Sequence, residues 1–169
     1  TQNGLGSYYN PGPRGIGDFS MNKAGIIGDS VNFKAVDARR QFTLVSGAKV
    51  WLNKFPAGPE HTDYAPVIRY AEVLLNAAEA IARTAGVDAR AIALLNAVHG
   101  RSEPSKVYAA ADFADGAALV SAIMRERRIE LMGEGFRSFD NTRLLTPLPG
   151  KANVATINPD SKDYIWPIP

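Results

Sequence analysis

The sequence predicts a mainly α-helical protein, in which helical hairpins of the tetratricopeptide type pack with an irregular, loop-rich region and one small β-hairpin. Three observations predict it. Residues 67–85 run without a breaker and are followed at once by a second helical run, with Gly86 and Gly100 as stops. A third periodic run extends to Gly133. By contrast, residues 1–62 hold nine of the fifteen glycines and four of the eleven prolines, interspersed with aromatics, which is the composition of loops and short strands.

Within that first segment, 41–45 and 49–52 have β character and are expected to pair across Ser46-Gly47 as a hairpin. Trp51 sits among apolar neighbours and reads as core. The glycine-rich stretch before the hairpin carries Tyr8, Tyr9 and Asn10, then Arg14 and Asp18. Aromatic rings that can lie on the C–H face of a sugar, beside groups that hydrogen-bond hydroxyls, make these five the candidate ligand-binding residues. The competing reading is that both tyrosines pack on the body of the domain.

Residues 63–145 form the expected helical region. Pro66 suits a first helical turn, and Tyr64 before it reads as a packing residue. The polar residues Arg69, Glu72, Asn76, Glu79 and Arg83 occupy a strip of about 80° on the helical wheel, so the helix is expected to be covered on more than one side. Asp88 can cap the second helix, whose one face carries Ile92, Leu95, Val98 and His99. The third helix starts near Asp112 or Asp115. A further helical turn is expected after Gly135, and then residues 146–169 read as extended, with a turn at Asn158-Pro159-Asp160. All three segments read as one domain. Both ends of the chain look cut from something longer.

The third helix puts charge where an amphipathic helix should have none. Val120, Ile123, Met124 and Leu131 form an apolar stripe with Arg127 at its centre. A lone buried guanidinium would be very costly, so Arg127 is expected to pair with Glu130 and Glu134, one and two turns away. Arg127, Glu130, Glu134, Arg137 and Asp140 thus make a candidate structural ion-pair cluster. Glu126, Glu130 and Glu134 at i, i+4, i+8 also invite acid/base or metal readings, but arginines crowd them, and both histidines, His61 and His99, lie on other segments. The Glu60-His61 loop has no recognised ligand spacing either. No catalytic residue, metal site or cofactor is therefore expected.

Composition narrows the function further. The 169 residues carry 19 basic and 17 acidic side chains, so a nucleic-acid partner has no global electrostatic support. Without cysteine there is no disulfide framework, thiol chemistry or Cys-based zinc site. No stretch approaches the roughly 20 apolar residues of a transmembrane helix.

Four motifs then occur in order: Val67-Ile68-Arg69-Tyr70-Ala71-Glu72-Val73-Leu74-Leu75-Asn76-Ala77-Ala78-Glu79-Ala80; Leu95-Asn96-Ala97-Val98; Arg125-Glu126-Arg127-Arg128-Ile129-Glu130-Leu131 with Glu134-Gly135-Phe136-Arg137 and Asp140; and Trp166-Pro167-Ile168-Pro169. Together they resemble the C-terminal part of the SusD/RagB family over roughly residues 37–169, and Asp37-x-Arg39 and Lys54-Phe55 resemble family features too. The resemblance implies a SusD-like fold in a surface lipoprotein of the Bacteroidetes outer membrane, anchored by a lipid on a cysteine upstream of Thr1. It also implies a SusC-type TonB-dependent transporter as partner, an oligosaccharide or peptide as ligand, and binding without catalysis. His99 departs from the family, which often has arginine there, so the local ion-pair network is expected to differ. Two other functions stay open: a tetratricopeptide-like protein- or peptide-binding module, and a glycan hydrolase, which would need two exposed carboxylates about 5 to 9.5 Å apart.

Overall fold

The structure is a computed structural model that describes residues 4–57, 60, 62–151 and 153–165. The chain divides into two compact units, Thr1–Leu131 and Met132–Pro169. Among the described residues it contains five α-helices and a small antiparallel sheet, a mainly helical architecture.

In the first unit the helical hairpin is built from α2 (Tyr70–Ala85) and α3 (Ala89–His99), and α4 (Gly116–Glu130) packs against both. Local chemistry sets these ends. The Asp88 carboxylate accepts from the Arg90 and Ala91 N–H groups, and Asp115 accepts from Ala118, so each caps the helix that follows. Gly86 ends α2 at φ +74°, a conformation that suits glycine. Gly116 is equally constrained, because a Cβ there would lie 2.8 Å from the Gly86 Cα. Backbone thus touches backbone where α4 enters. Leu75, Ala78, Ala91, Leu95, Leu119 and Ile123 are fully buried in the core these helices share. Each large side chain there contributes about 1.5–3 kcal/mol of burial.

Helix α2 starts later than expected, at Tyr70 rather than near Pro66. Arg69 remains extended at φ −124°, ψ 147°, and directs its guanidinium to Glu130. The residues before it therefore stay outside the helix. Tyr64 is 95% exposed, not the packing residue expected, and Val67, Ile68, Tyr70 and Val73 are exposed as well. The apolar circumference of α2 is covered on one side by the core, and its first turns are open.

The predicted hairpin is present as β2 (Thr43–Ser46) and β3 (Lys49–Leu52), in register from Thr43↔Leu52 to Ser46↔Lys49. Gly47 takes φ +58° in its turn. Gln41 and Phe42 belong instead to a 3-10 turn, Ala38–Phe42, which Asp37 caps through the Arg39 N–H. A third strand, β1 (Ser20–Met21), pairs with the other edge of β3, giving the order β1-β3-β2. Two residues are too few for periodicity to reveal. Trp51 is buried, as expected. Trp166 and His61 lie outside the described residues.

In the second unit α5 (Phe136–Arg143) makes two turns. The stretch after it is not simply extended: Leu148 bridges Ile157, and Lys151 bridges Val154, so the chain doubles back. The turn at Asn158 closes through the Ser161 N–H. The buried Tyr164 hydroxyl donates to the Asn141 and Thr146 carbonyls at 2.8 and 2.6 Å, alternatives for its single proton, which pins the segment to α5.

Candidate functional site

Two features of the first unit bear on function: a buried charge network and an aromatic loop. The network is centred on Arg39, which is 3% exposed. Arg39 donates through Nε and Nη2 to the two oxygens of Asp37, at 3.0 and 2.7 Å, in a bidentate pair. Its Nη1 reaches Glu126 at 2.5 Å and Glu130 at 3.1 Å on α4. Glu130 also accepts from Arg69 and Arg101, both at 2.7 Å. Arg127 is buried on the same helix, but it donates to Asn76 of α2 at 2.5 Å. Three arginines from outside α4 thus meet Glu130. Partners on other elements can meet the carboxylate head-on, which an arginine three residues back on the same helix does less well.

His99 joins the same network. Its Nδ1 lies 2.8 Å from Glu126, and its Nε2 is 3.4 Å from Glu103. Glu103 in turn meets Lys34 at 3.2 Å and the Ser105 hydroxyl. Burial alone would lower the imidazole pKa, but the hydrogen bond and charge of Glu126, with the charge of Glu103, raise it above its ordinary 6.5. Burial would likewise raise the carboxyl groups of Glu130 and Asp37, and their arginine partners hold both below the usual carboxylate range. Asp37 and Glu130 are therefore held as carboxylates by their arginine partners.

Beside the network lies a cleft of about 350 Å³. Arg39, Lys54, Arg69 and Arg101 line it, together with Gln41, Phe42 and Glu130. Lys54 and Arg69 also donate to the Glu130 carbonyl, at 3.1 and 2.8 Å, placing cations at the C-terminal end of α4 where the helix dipole favours them.

The aromatic loop begins with α1 (Leu5–Tyr9). Tyr8 is 45% exposed and Phe19 55%, with ring centroids 6.1 Å apart. Tyr9 is half-buried between Phe19 and Phe55, at 6.1 and 6.2 Å. Gly17, at φ +65°, lies over Trp51, whose ring would be 3.1 Å from a Cβ. Of the candidate ligand residues, Tyr8 and Asp18 are exposed, and Tyr9 and Arg14 are half-buried. Asn10 is fully buried and donates to the Gly6 and Phe55 carbonyls at 2.8 and 2.7 Å, so its amide holds the loop in place. Arg14 donates to the Pro56 carbonyl at 2.6 Å. Phe19, absent from the candidate list, adds a ring to the exposed surface. Its nearness to Tyr8 depends on the loop returning past α1, through the Phe19 N–H and the Tyr8 carbonyl, which spacing alone does not reveal.

Of the expected ion-pair cluster, Arg127 and Glu130 belong to the first unit, whereas Glu134, Arg137 and Asp140 belong to the second. There Asp140 is buried and meets Arg143 at 2.8 Å. Among the described residues no group of His, Asp and Glu is placed to hold a metal ion, and no helix is long and apolar enough to cross a membrane.

This is a tetratricopeptide-like helical scaffold whose buried acids are spent on ion pairs and whose loops carry the exposed chemistry. A sequence model of the SusD family matches residues 46–164, and the chain belongs to that family. A SusD superfamily protein from Bacteroides fragilis is similar over 98% of this chain, with 31% identity and a TM-score of 0.79. A second, from Bacteroides vulgatus, shares the fold over 98% of this chain at 21% identity and a TM-score of 0.69. The chain spans 38% of the length of each. No curated protein matches the sequence.

Proposed function

We propose that this chain is part of a nutrient-binding protein of the outer-membrane surface, which captures oligosaccharides and passes them to a SusC-type TonB-dependent transporter without catalysing a reaction. A lipid on an upstream cysteine would hold it to the membrane. The observation that carries this reading is family membership, with its likeness to solved SusD superfamily structures across nearly the whole chain. The geometry supports binding over hydrolysis. A glycosidase needs one carboxyl held protonated, with its pKa raised. Glu126 and Glu130 are instead buried against cations, and Glu130 is shifted the opposite way. The exposed pair Tyr8 and Phe19, with Asp18 between them in sequence, supplies the apolar faces and the hydroxyl partner that a sugar requires.

Isothermal calorimetry of the folded chain against starch, xylan, mannan and host-type oligosaccharides tests it. Saturable binding of one neutral glycan class, lost in Tyr8→Ala/Phe19→Ala, is the expected result. A folded chain silent to the whole panel would defeat the sugar-platform reading. A protein-binding alternative is favoured by one observation, the exposed Val67, Ile68, Tyr70 and Val73 at the start of α2. Capture of a helical peptide, abolished by Tyr70→Ser/Val73→Ser, would decide for it.

A further inference from the structure

We propose that the cleft beside the charge network is a second binding site, specific for the acidic group of a charged sugar, a carboxylate or a sulfate ester. It lies apart from the aromatic loop and does not depend on it.

The charge balance points to an anion. Arg39, Lys54, Arg69 and Arg101 line the cleft against one carboxylate, Glu130. A surplus of cations over carboxylates therefore lines the cleft. Arg101 carries it. Its side chain is 57% exposed, and among the described residues its guanidinium makes one hydrogen bond, through Nη2 to Glu130 at 2.7 Å. A guanidinium has five N–H donors in a fixed fork. One anchors the group to a buried carboxylate and four remain for a ligand. An arginine already held in place loses little rotamer freedom on binding, and its fork suits both oxygens of a carboxylate or sulfate.

The remaining walls fit the rest of a sugar. Phe42 offers an apolar ring, with the Lys54 ammonium 5.6 Å from its centroid, and the exposed Gln41 amide can both donate to and accept from hydroxyls. A volume of about 350 Å³ lies at the lower end of the range for small-ligand pockets. A simple counter-ion would need neither the ring nor the amide.

Calorimetry of the 169-residue chain at low and moderate salt, with glucuronate, glucose 6-sulfate, glucose and inorganic sulfate, tests the site. One or both acidic sugars should bind saturably and about tenfold or more tighter than glucose, and should weaken as salt screens the contact. Which acidic sugar binds identifies the source of the charge. Arg101→Gln should erase the preference over glucose. Gln41→Glu, at an exposed position outside the ion pairs, should weaken acidic sugars about fivefold or more by charge repulsion, and it decides the matter if Arg101→Gln fails to fold. Tyr8→Ala should leave this binding unchanged. Equal affinity for glucuronate, glucose 6-sulfate and glucose would overturn the proposal. So would inorganic sulfate binding with both acidic sugars silent, or acidic-sugar binding indifferent to both substitutions.

Discussion

The buried charge network and the aromatic loop use their polar groups in opposite ways. In the network, Asp37, Arg39, Glu126 and Glu130 are each less than 5% exposed and hold one another at hydrogen-bond distance. Removing one partner leaves the others charged in a low-dielectric interior, which is far costlier than the net worth of the pairs. In the loop, Tyr8 and Phe19 are half-exposed, and most of the anchoring is done by backbone and by Asn10. Losing a ring there sacrifices surface but strands nothing. Chemistry that looks functional in sequence is thus structural where it is buried, and the available chemistry is where the chain looks least regular.

The largest expected effect follows from Arg39. Arg39→Ala strips Asp37 of its guanidinium partner, leaving it the backbone N–H of residue 39, and removes one cation from both Glu126 and Glu130. A loss of about 3–5 kcal/mol in unfolding free energy is expected, enough to leave a marginal domain largely unfolded. Urea denaturation followed by circular dichroism measures it; a loss under about 1 kcal/mol would show that water relaxes into the network at little cost.

His99 gives the network a pH signature. Its pKa is raised in the folded chain, so its stabilisation is complete below the ordinary value of 6.5 and is lost as pH rises through the higher folded value. Asp37 and Glu130 are shifted downward, so their contributions are present above 3.8 and 4.5 and are lost as pH falls. Stability should therefore be greatest at weakly acidic pH and fall on both sides. Arg39, beside Glu126, opposes the His99 shift but does not reverse it, and Tyr108 packs on the imidazole with centroids 5.0 Å apart. His99→Gln should cost about 1–3 kcal/mol at pH 6 and flatten only the alkaline limb of a melting-temperature profile. An unchanged alkaline limb would assign that limb to another group.

Helix caps test the same scaffold without touching its charges. Asp88→Ala removes the acceptor of two N–H groups at the start of α3 and should cost about 1 kcal/mol. That interaction is local, which is why Asp88, Gly86 and Gly100 could be read from sequence as the ends of α2 and α3. The β2–β3 hairpin was legible for the same reason, since its turn lies between adjacent runs. The network was not. Arg39 meets Glu126 and Glu130 across separations of 87 and 91 residues, and nothing in the periodicity of α4 names those partners. Asp37-x-Arg39 was visible as a motif and His99 as an anomaly, but only the fold brings them to the same helix. Tyr64 misled for a related reason: proximity to an apolar run suggested packing, and the extended Arg69 kept it outside the helix.

The smallest expected effect on stability is the one most telling for function. Tyr8→Ala removes a ring that is 45% exposed and lies 6.1 Å from the Phe19 ring, centroid to centroid. The loop would keep its anchors, because Asn10 still donates to Gly6 and Phe55, and Ile16 and Gly17 still donate to the Ser7 carbonyl. A change within about 0.5 kcal/mol is therefore expected in denaturation. Aromatic stacking on a sugar is worth far more than that to a weak ligand, so neutral-glycan affinity should drop several-fold while the melting curve barely moves. If stability instead fell as far as for Asp88→Ala, Tyr8 would be a packing residue, and the contrast between buried structural charge and exposed binding surface would fail at its most accessible position.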